Sequence, residues 1–278
     1  MDNFLYFLKQ NRLATVAGVL LALLLLAVMV PQLLTAESPT AIAIQERLLA
    51  PTGSHWLGTD AFGRDVLARL LHGGRFTLAV GLGVVALAFA VGVALGTVSG
   101  YFGGWVDTII MRCVDALLSF PALVLAIALA AALGPSLENA MLAVAITLAP
   151  RFARVARSQA MAISVKPYVE AAVSMGVPTP RILTHYVLRN GIGPLLVHAS
   201  LSIGSAILQT ASLGFLGLGA QAPAPEWGLD LAGNLQYLDS APWVALLPGA
   251  AILLTVLSFN LLGDALADWL LPKQRGKH

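Results

Sequence analysis

Five polar side chains, His198, Ser202, Ser205, Gln209 and Ser212, recur at intervals of four, three, four and three residues. At about 100° per residue this spacing gathers them on one narrow face of a helix. Hydroxyls, an amide and an imidazole in a row donate and accept hydrogen bonds without a standing charge. On a membrane helix such a stripe cannot face lipid cheaply, so it lines either a watery path for a polar solute or a helix interface. The other faces are apolar or small, which favours the path. A second constellation, Asp60, Arg64 and Asp65, lies in the run His55 to Asp65, HWLGTDAFGRD. Gly58 and Gly63 permit turns there, and the three charges can form a hydrogen-bonded ionic cluster that fixes the loop.

No pattern for bond-making chemistry accompanies them. No G-x-x-x-x-G-K-[ST] occurs, so the chain does not cradle ATP phosphates in the usual way and energy must come from a partner. There is no H-E-x-x-H and no G-x-S-x-G. The five histidines, His55, His72, His185, His198 and His278, are dispersed and read as satisfied polar groups rather than metal ligands. The single Cys113 excludes an intramolecular disulfide and reads as a small apolar residue at a helix start. The expectation is therefore no catalytic residue, no metal, no cofactor and no enzyme. A net charge of +2 with scattered basic residues gives no reason to expect a nucleic-acid partner.

Of the 278 residues 58% are hydrophobic and only 11% charged, where an ordinary globular domain carries about a quarter charged residues. The composition is that of an integral membrane protein, all-α and polytopic. Leu13 to Leu34 is long enough to cross a bilayer and follows Lys9 and Arg12. It reads as an uncleaved first span with the N-terminus inside. A soluble stretch, Thr35 to Arg75, comes next. Phe76 to Val106 is uncharged and supplies the second span, with Gly92, Gly96 and Gly100 making a smooth strip for tight helix packing. The third span, Ala116 to Leu137, is kinked near Pro121 after Arg112 and Asp115, which are spaced to pair across one helical turn. Only twelve uncharged residues separate Glu138 from Arg151, so the fourth span must continue past the bilayer with Arg151, Arg154 and Arg157 on its cytoplasmic extension, stems along lipid and heads in water. The fifth span is Ile192 to Leu213 and carries the polar stripe; the sixth is Ser240 to Gly263. This divides the chain into residues 1–75, a first span plus an outer loop, residues 76–272, a five-span core, and a tail at 273–278.

Between the fourth and fifth spans lies a polar island, Lys166 to Asn190. Pro167 suits the first turn of a helix and Gly176 the left-handed position after its last, which predicts one helix over Tyr168 to Met175. Thr179 can cap a second helix, Arg181 to Leu188, with Pro180 at its start. Ala171 and Ala172 leave a face open to close approach. Six spans with the N-terminus inside place twelve of the sixteen basic residues in the cytoplasm and only Arg47, Arg64, Arg69 and Arg75 outside, as the positive-inside rule requires.

Glu170-Ala171-Ala172, three residues, Gly176, and the run to Asn190 resemble the E-A-A loop of the membrane subunits of ATP-binding-cassette importers. The family's usual ending His-Ile-Leu-Pro-Asn reads Tyr186-Val187-Leu188-Arg189-Asn190 here. The His55 to Asp65 run resembles the L-G-T-D-x-x-G-R-D signature of the dipeptide, oligopeptide and nickel branch. Phe215 to Gly219, Pro225 to Gly228 and Asn260 to Asp264 resemble its F-L-G-L-G, P-E-W-G and N-x-x-G-D, though Ala267 and Leu271 stand where Arg and Asp are usual. The resemblance implies a permease subunit forming half of the solute path. It further implies a second homologous permease, two ATPase subunits, an extracytoplasmic solute-binding protein, and a bacterial inner-membrane location with both termini cytoplasmic. It makes Glu170, Ala171, Ala172, Gly176 and Arg181 the coupling surface for the ATPase, and Asp60, Arg64 and Asp65 either a binding-protein contact or a loop-fixing cluster. Di- or oligopeptides are the expected solute, with nickel or a metal chelate as the alternative. An ion-coupled secondary transporter would want ionisable residues within its spans, whereas here the carboxylates sit at span ends.

Overall fold

A computed structural model of the chain describes residues 12–270. Its helices, in order, are α1 (Arg12–Met29), α2 (Val66–Phe102), α3 (Gly104–Leu118), α4 (Ala122–Leu133), α5 (Leu137–Ser164), α6 (Pro167–Ser174), α7 (Arg189–Phe215), α8 (Trp227–Asn234) and α9 (Trp243–Leu270). Among the described residues there is no strand, only an isolated bridge between Thr59 and Asp65. The expected N-terminal Lys9 and C-terminal tail lie outside the described residues.

Several boundaries move for identifiable reasons. The first span ends at Met29, because Pro31 cannot continue the helix and takes the chain into a short 3-10 turn. The second begins at Val66, ten residues earlier than expected, because Asp65 caps it by accepting the Ala68 N–H at 2.7 Å. The expected boundary at residue 75 thus falls inside α2. The third is broken rather than kinked: α3 and α4 meet at 91° across Ser119-Phe120-Pro121. Four helical stretches are long and apolar enough to cross a membrane singly, namely α1, α2, the continuous stretch Thr179–Phe215 and α9, and a fifth arises if the bent α3–α4 pair is one span. The expected fourth span, α5, is a single 28-residue helix whose arginines exclude it from that set.

Helix α5 is nonetheless the centre of the bundle, and glycine explains how. Gly92, Gly96 and Gly100 of α2 lie directly against α5, where a Cβ would run into the backbone oxygens of Ala149, Ala153 and Arg157 respectively. The facing side of α5 is correspondingly small, with Ala153, Ala156 and Ala160 buried. Such close backbone approach maximises dispersion contact where lipid offers no hydrophobic drive. The main core continues from this seam through Val84, Val144, Leu148 and Phe152 to Leu195, Ala206 and Leu213 of α7. On its other side α7 meets α9, with Gly204 against Asn260 and Leu201 against Gly263. These contacts give the Asn260 to Gly263 run a packing role.

Two expected ionic arrangements are corrected. Asp115 pairs with Arg154 of α5 at 2.7 Å and not with Arg112 one turn away. Arg157 forks onto Asp107 of α3 through two 2.6 Å hydrogen bonds. Two of the three arginines on the α5 extension therefore pin α3 alongside it instead of standing free in water.

Candidate functional site

The charged loop His55 to Asp65 folds into two linked knots. Asp60, 1% exposed, accepts the backbone N–H groups of Phe62 at 2.8 Å and Arg64 at 3.0 Å and the Arg64 Nε at 2.6 Å. It closes a turn in which Gly63 holds φ +74°, a conformation costly to any residue with a Cβ. Asp65 does not join Arg64. One of its oxygens caps α2 and the other lies 2.9 Å from His55 Nδ1, while Glu46 sits 3.4 Å from the opposite ring nitrogen. The Asp65 hydrogen bond raises the pKa of His55, outweighing burial.

Sequence reasoning missed the hub of this region. Arg69, on the first turn of α2, is 4% exposed and spends all three guanidinium nitrogens: Nε and Nη2 on Asp230 of α8, Nη1 on the carbonyls of Pro39 and Pro223, and Nη2 also on that of Ala224. Burial pushes the Asp230 carboxyl up and the guanidinium pulls it back. Beside it Glu226 caps α8 by accepting the N–H groups of Gly228 and Leu229 at 3.0 and 2.8 Å, and the Trp227 indole donates to the Leu70 carbonyl at 2.9 Å. Segments 161 residues apart are thus locked together at one end of the bundle. A partial signal existed in the sequence: Arg69 and Asp230 stand in largely apolar helical runs, and a charge so placed needs a partner, although its identity is not local.

At the opposite end α6 matches the expected first helix of the polar island. Gly176 holds φ +73°, and its N–H and that of Val177 close the helix onto Val173 and Ala172 carbonyls. Successive residues on a helix point 100° apart, which splits the two alanines. Ala172 is buried, and Val169 packs with Ile163, Ile182 and Val187, whereas Ala171 is exposed. Glu170, Ala171, Gly176 and Arg181 are each exposed, and neither Glu170 nor Arg181 has an ion-pair or side-chain hydrogen-bond partner among the described residues. Thr179 does not cap the next helix; Pro178 holds that position and Thr179 is its first residue. Nor is that helix separate. A π-helical stretch, Ile182–Leu188, carries it straight into α7. The Arg189 N–H donates five residues back to Thr184, a bond that proline at this position could not make.

The polar stripe lies on α7 as expected. Ser202 and Ser212 donate to carbonyls one turn back, those of His198 and Leu208, each at 2.7 Å, and Gln209 Nε2 reaches the Ser205 carbonyl at 3.3 Å. The His198 ring meets Phe152 of α5 edge-on, centroids 4.8 Å apart. His198 Nε2 and Gln209 Oε1 are buried without a partner among the described residues. The three groups of site residues do not converge: one is on the loop before α2, one on the polar island, and the stripe runs along the helix that continues from the island.

Residues 92–276 match the family described as the binding-protein-dependent transport system inner membrane component. The chain belongs to this family. It is a permease subunit of an ATP-binding-cassette importer and not an enzyme, ATP hydrolysis in such systems residing in separate subunits. Among its relatives is the probable D,D-dipeptide transport system permease protein DdpC of Escherichia coli K12. This protein is 47% identical over 275 residues, covering 99% of this chain and 92% of that one. The dipeptide transport system permease protein DppC of Alkalihalophilus pseudofirmus is 44% identical over 268 residues, 96% of this chain and 88% of that one. The glutathione transport system permease protein GsiD of Pectobacterium atrosepticum is 42% identical, again over 268 residues, 96% and 89% of the two chains. A solved chain of the MetNI methionine ABC transporter in an inward-facing conformation shares the fold at a TM-score of 0.58 and 17% identity, covering 73% of this permease and 96% of that chain.

Proposed function

We propose that this permease is one half of the transmembrane path of a di- or oligopeptide importer, with six spans, α5 joining the other five as the fourth in chain order, and both termini in the cytoplasm. It pairs with a second, related permease, two ATPase subunits and an extracytoplasmic solute-binding protein. The relatives named for dipeptide, D,D-dipeptide and glutathione transport support a peptide solute. The observation that carries the mechanism is the uninterrupted helical stretch from Thr179 to Phe215, which joins the polar island to the polar stripe. A push on the exposed side of α6, where Glu170 and Ala171 stand without internal partners, is transmitted through Gly176 and the π-helical stretch to α7 as a rigid lever. ATP-driven closure of the ATPase subunits supplies the push. The stripe it moves holds two buried polar atoms, His198 Nε2 and Gln209 Oε1, that are unmet among the described residues. An unmet buried group costs about 1–3 kcal/mol, so a solute, water or the second permease supplies the partner.

Gly176→Val tests the lever. Its Cβ would meet nothing within 4 Å, so the change acts through the backbone alone, forcing φ +73° to relax. A left-handed valine costs roughly 1–2 kcal/mol, enough to retilt α6 without stopping membrane insertion. Solute-stimulated ATP hydrolysis and uptake are expected to fall together, with Glu170→Ala a milder case. Normal transport by well-inserted Gly176→Val protein would remove the lever. For the stripe, Gln209→Leu and Ser205→Leu are expected to lower uptake about tenfold, the worth of one hydrogen bond to solute or water, with the complex still assembled. Loss of assembly with unchanged uptake per complex would make the stripe a helix interface instead.

A further inference from the structure

We propose that the cavity between the outer loop and α8 is a docking socket for an acidic side chain of the solute-binding protein, with Arg64 as the receiving group. The proposal rests on the orientation given above, which places this end of the bundle outside the cell. The cavity, about 260 Å³, is lined by Ile42, Phe62, Arg64, Arg69, Pro223 and Asp230, among others.

A charge inventory identifies the one cation of the cavity wall with unspent donors. Arg69 uses every nitrogen internally, as described above. Asp60 is filled by two backbone donors and the Arg64 Nε. The Asn234 amide donates to the Asp230 carbonyl at 2.8 Å. Of the two arginines on the cavity wall, only Arg64 keeps both terminal nitrogens without a partner among the described residues, while its Nε is held by Asp60 and its guanidinium carbon lies 4.7 Å from the Phe62 ring centroid. A guanidinium fixed at Nε with Nη1 and Nη2 free is a pre-set fork for a carboxylate, and little side-chain entropy remains to be lost on binding. At the rim Ile42 and Phe62 are 63% and 51% exposed. An aromatic and an aliphatic side chain flanking an arginine whose own side chain is 11% exposed is the composition of the energetic centre of a protein–protein interface. The volume falls below the roughly 300–1,000 Å³ typical of small-molecule sites, which favours a single side chain over a peptide solute as the occupant.

Gly233 offers a test that leaves Arg64 and its bond to Asp60 untouched. It lies on the cavity wall, and a Cβ there would meet nothing within 4 Å. The full complex is reconstituted in lipid, and its ATPase activity is titrated with the binding protein encoded beside this chain, loaded with a dipeptide. Gly233→Asp is expected to raise the half-stimulating concentration about fivefold or more, whereas Gly233→Lys leaves it unchanged or lowers it, with basal ATP hydrolysis the same in both. Arg64→Gln is expected to raise it about tenfold and Arg64→Lys by less. Equal concentrations for the two Gly233 variants, or for wild type and Arg64→Gln, would overturn the socket. So would a shift that disappears when the dipeptide is replaced by its C-terminal amide, since the carboxylate would then belong to the solute. If the dipeptide-loaded binding protein does not stimulate even the wild-type complex, the peptide-importer reading proposed above fails, a result distinct from either.

Discussion

Gly96→Leu is expected to abolish assembly of the importer, with the permease recovered in the membrane fraction at low abundance and without partner subunits. The Cβ alone would overlap the Ala153 carbonyl and crowd the Ala156 methyl, and both belong to a neighbouring helix with no flexible end to swing aside. Overpacking in a core usually costs about 1–3 kcal/mol because side chains can give; here two backbones must part, and the cost lies above that range. Because the seam between α2 and α5 anchors the main core, separating it also uncouples Val84, Val144 and Phe152. Gly193→Leu is the matched control, a helical glycine of α7 with open space around its Cβ, and its chain is expected to remain folded. Copurification of a tagged chain with its partner subunits reads both variants. If Gly96→Leu assembles normally, α2 and α5 are not packed backbone to backbone.

What the sequence disclosed and what it hid follow from the range of each interaction. Periodicity and helix punctuation are local, so the Gly92, Gly96, Gly100 strip, the polar stripe, the Pro167 start and the left-handed Gly176 were all legible, and each stands where its spacing put it. Boundaries went wrong where a side chain chose between two local options. Asp65 was read as a member of an ionic cluster, yet as a helix cap it started α2 ten residues early. Thr179 was read as a cap, but Pro178 occupies that place. Arg189, noted as a departure from a proline, turned out to permit the bond that fuses the second island helix to α7.

The identity of long-range partners was hidden. Arg112 and Asp115 satisfied a helical pairing rule, but the partner of Asp115 came from α5, 39 positions away. An i, i+3 pair on an exposed helix is worth only about 0.2–0.5 kcal/mol, so any neighbouring helix that presents an arginine outcompetes it. The same holds for Arg69 and Asp230. Nothing within ten residues of either announces the other, and only burial makes the pairing obligatory.

That obligation makes Arg69→Met the second large effect, expected to lower the thermal stability of the purified complex more than any exposed-charge substitution. Methionine fills much of the volume of the arginine stem but leaves the Asp230 carboxylate buried without its counter-ion and strips the carbonyls of Pro39, Pro223 and Ala224 of their donors. Removing one member of a buried ion pair costs roughly 3–5 kcal/mol, most of it the uncompensated charge that remains. Asp230→Leu strands the guanidinium in the same way. The double variant, Arg69→Met with Asp230→Leu, leaves no charge behind and is expected to be more stable than either single variant, since an apolar pair of similar volume often replaces a buried ion pair at little cost. Melting temperatures of the three variants close the cycle. Additive losses would mean that Arg69 acts through its carbonyl contacts to Pro39, Pro223 and Ala224 and that Asp230 is incidental. Recovery in the double variant would show that the ion pair holds the N-terminal end of α2 to α8. In that case the cavity wall beside Arg64 depends on it as well.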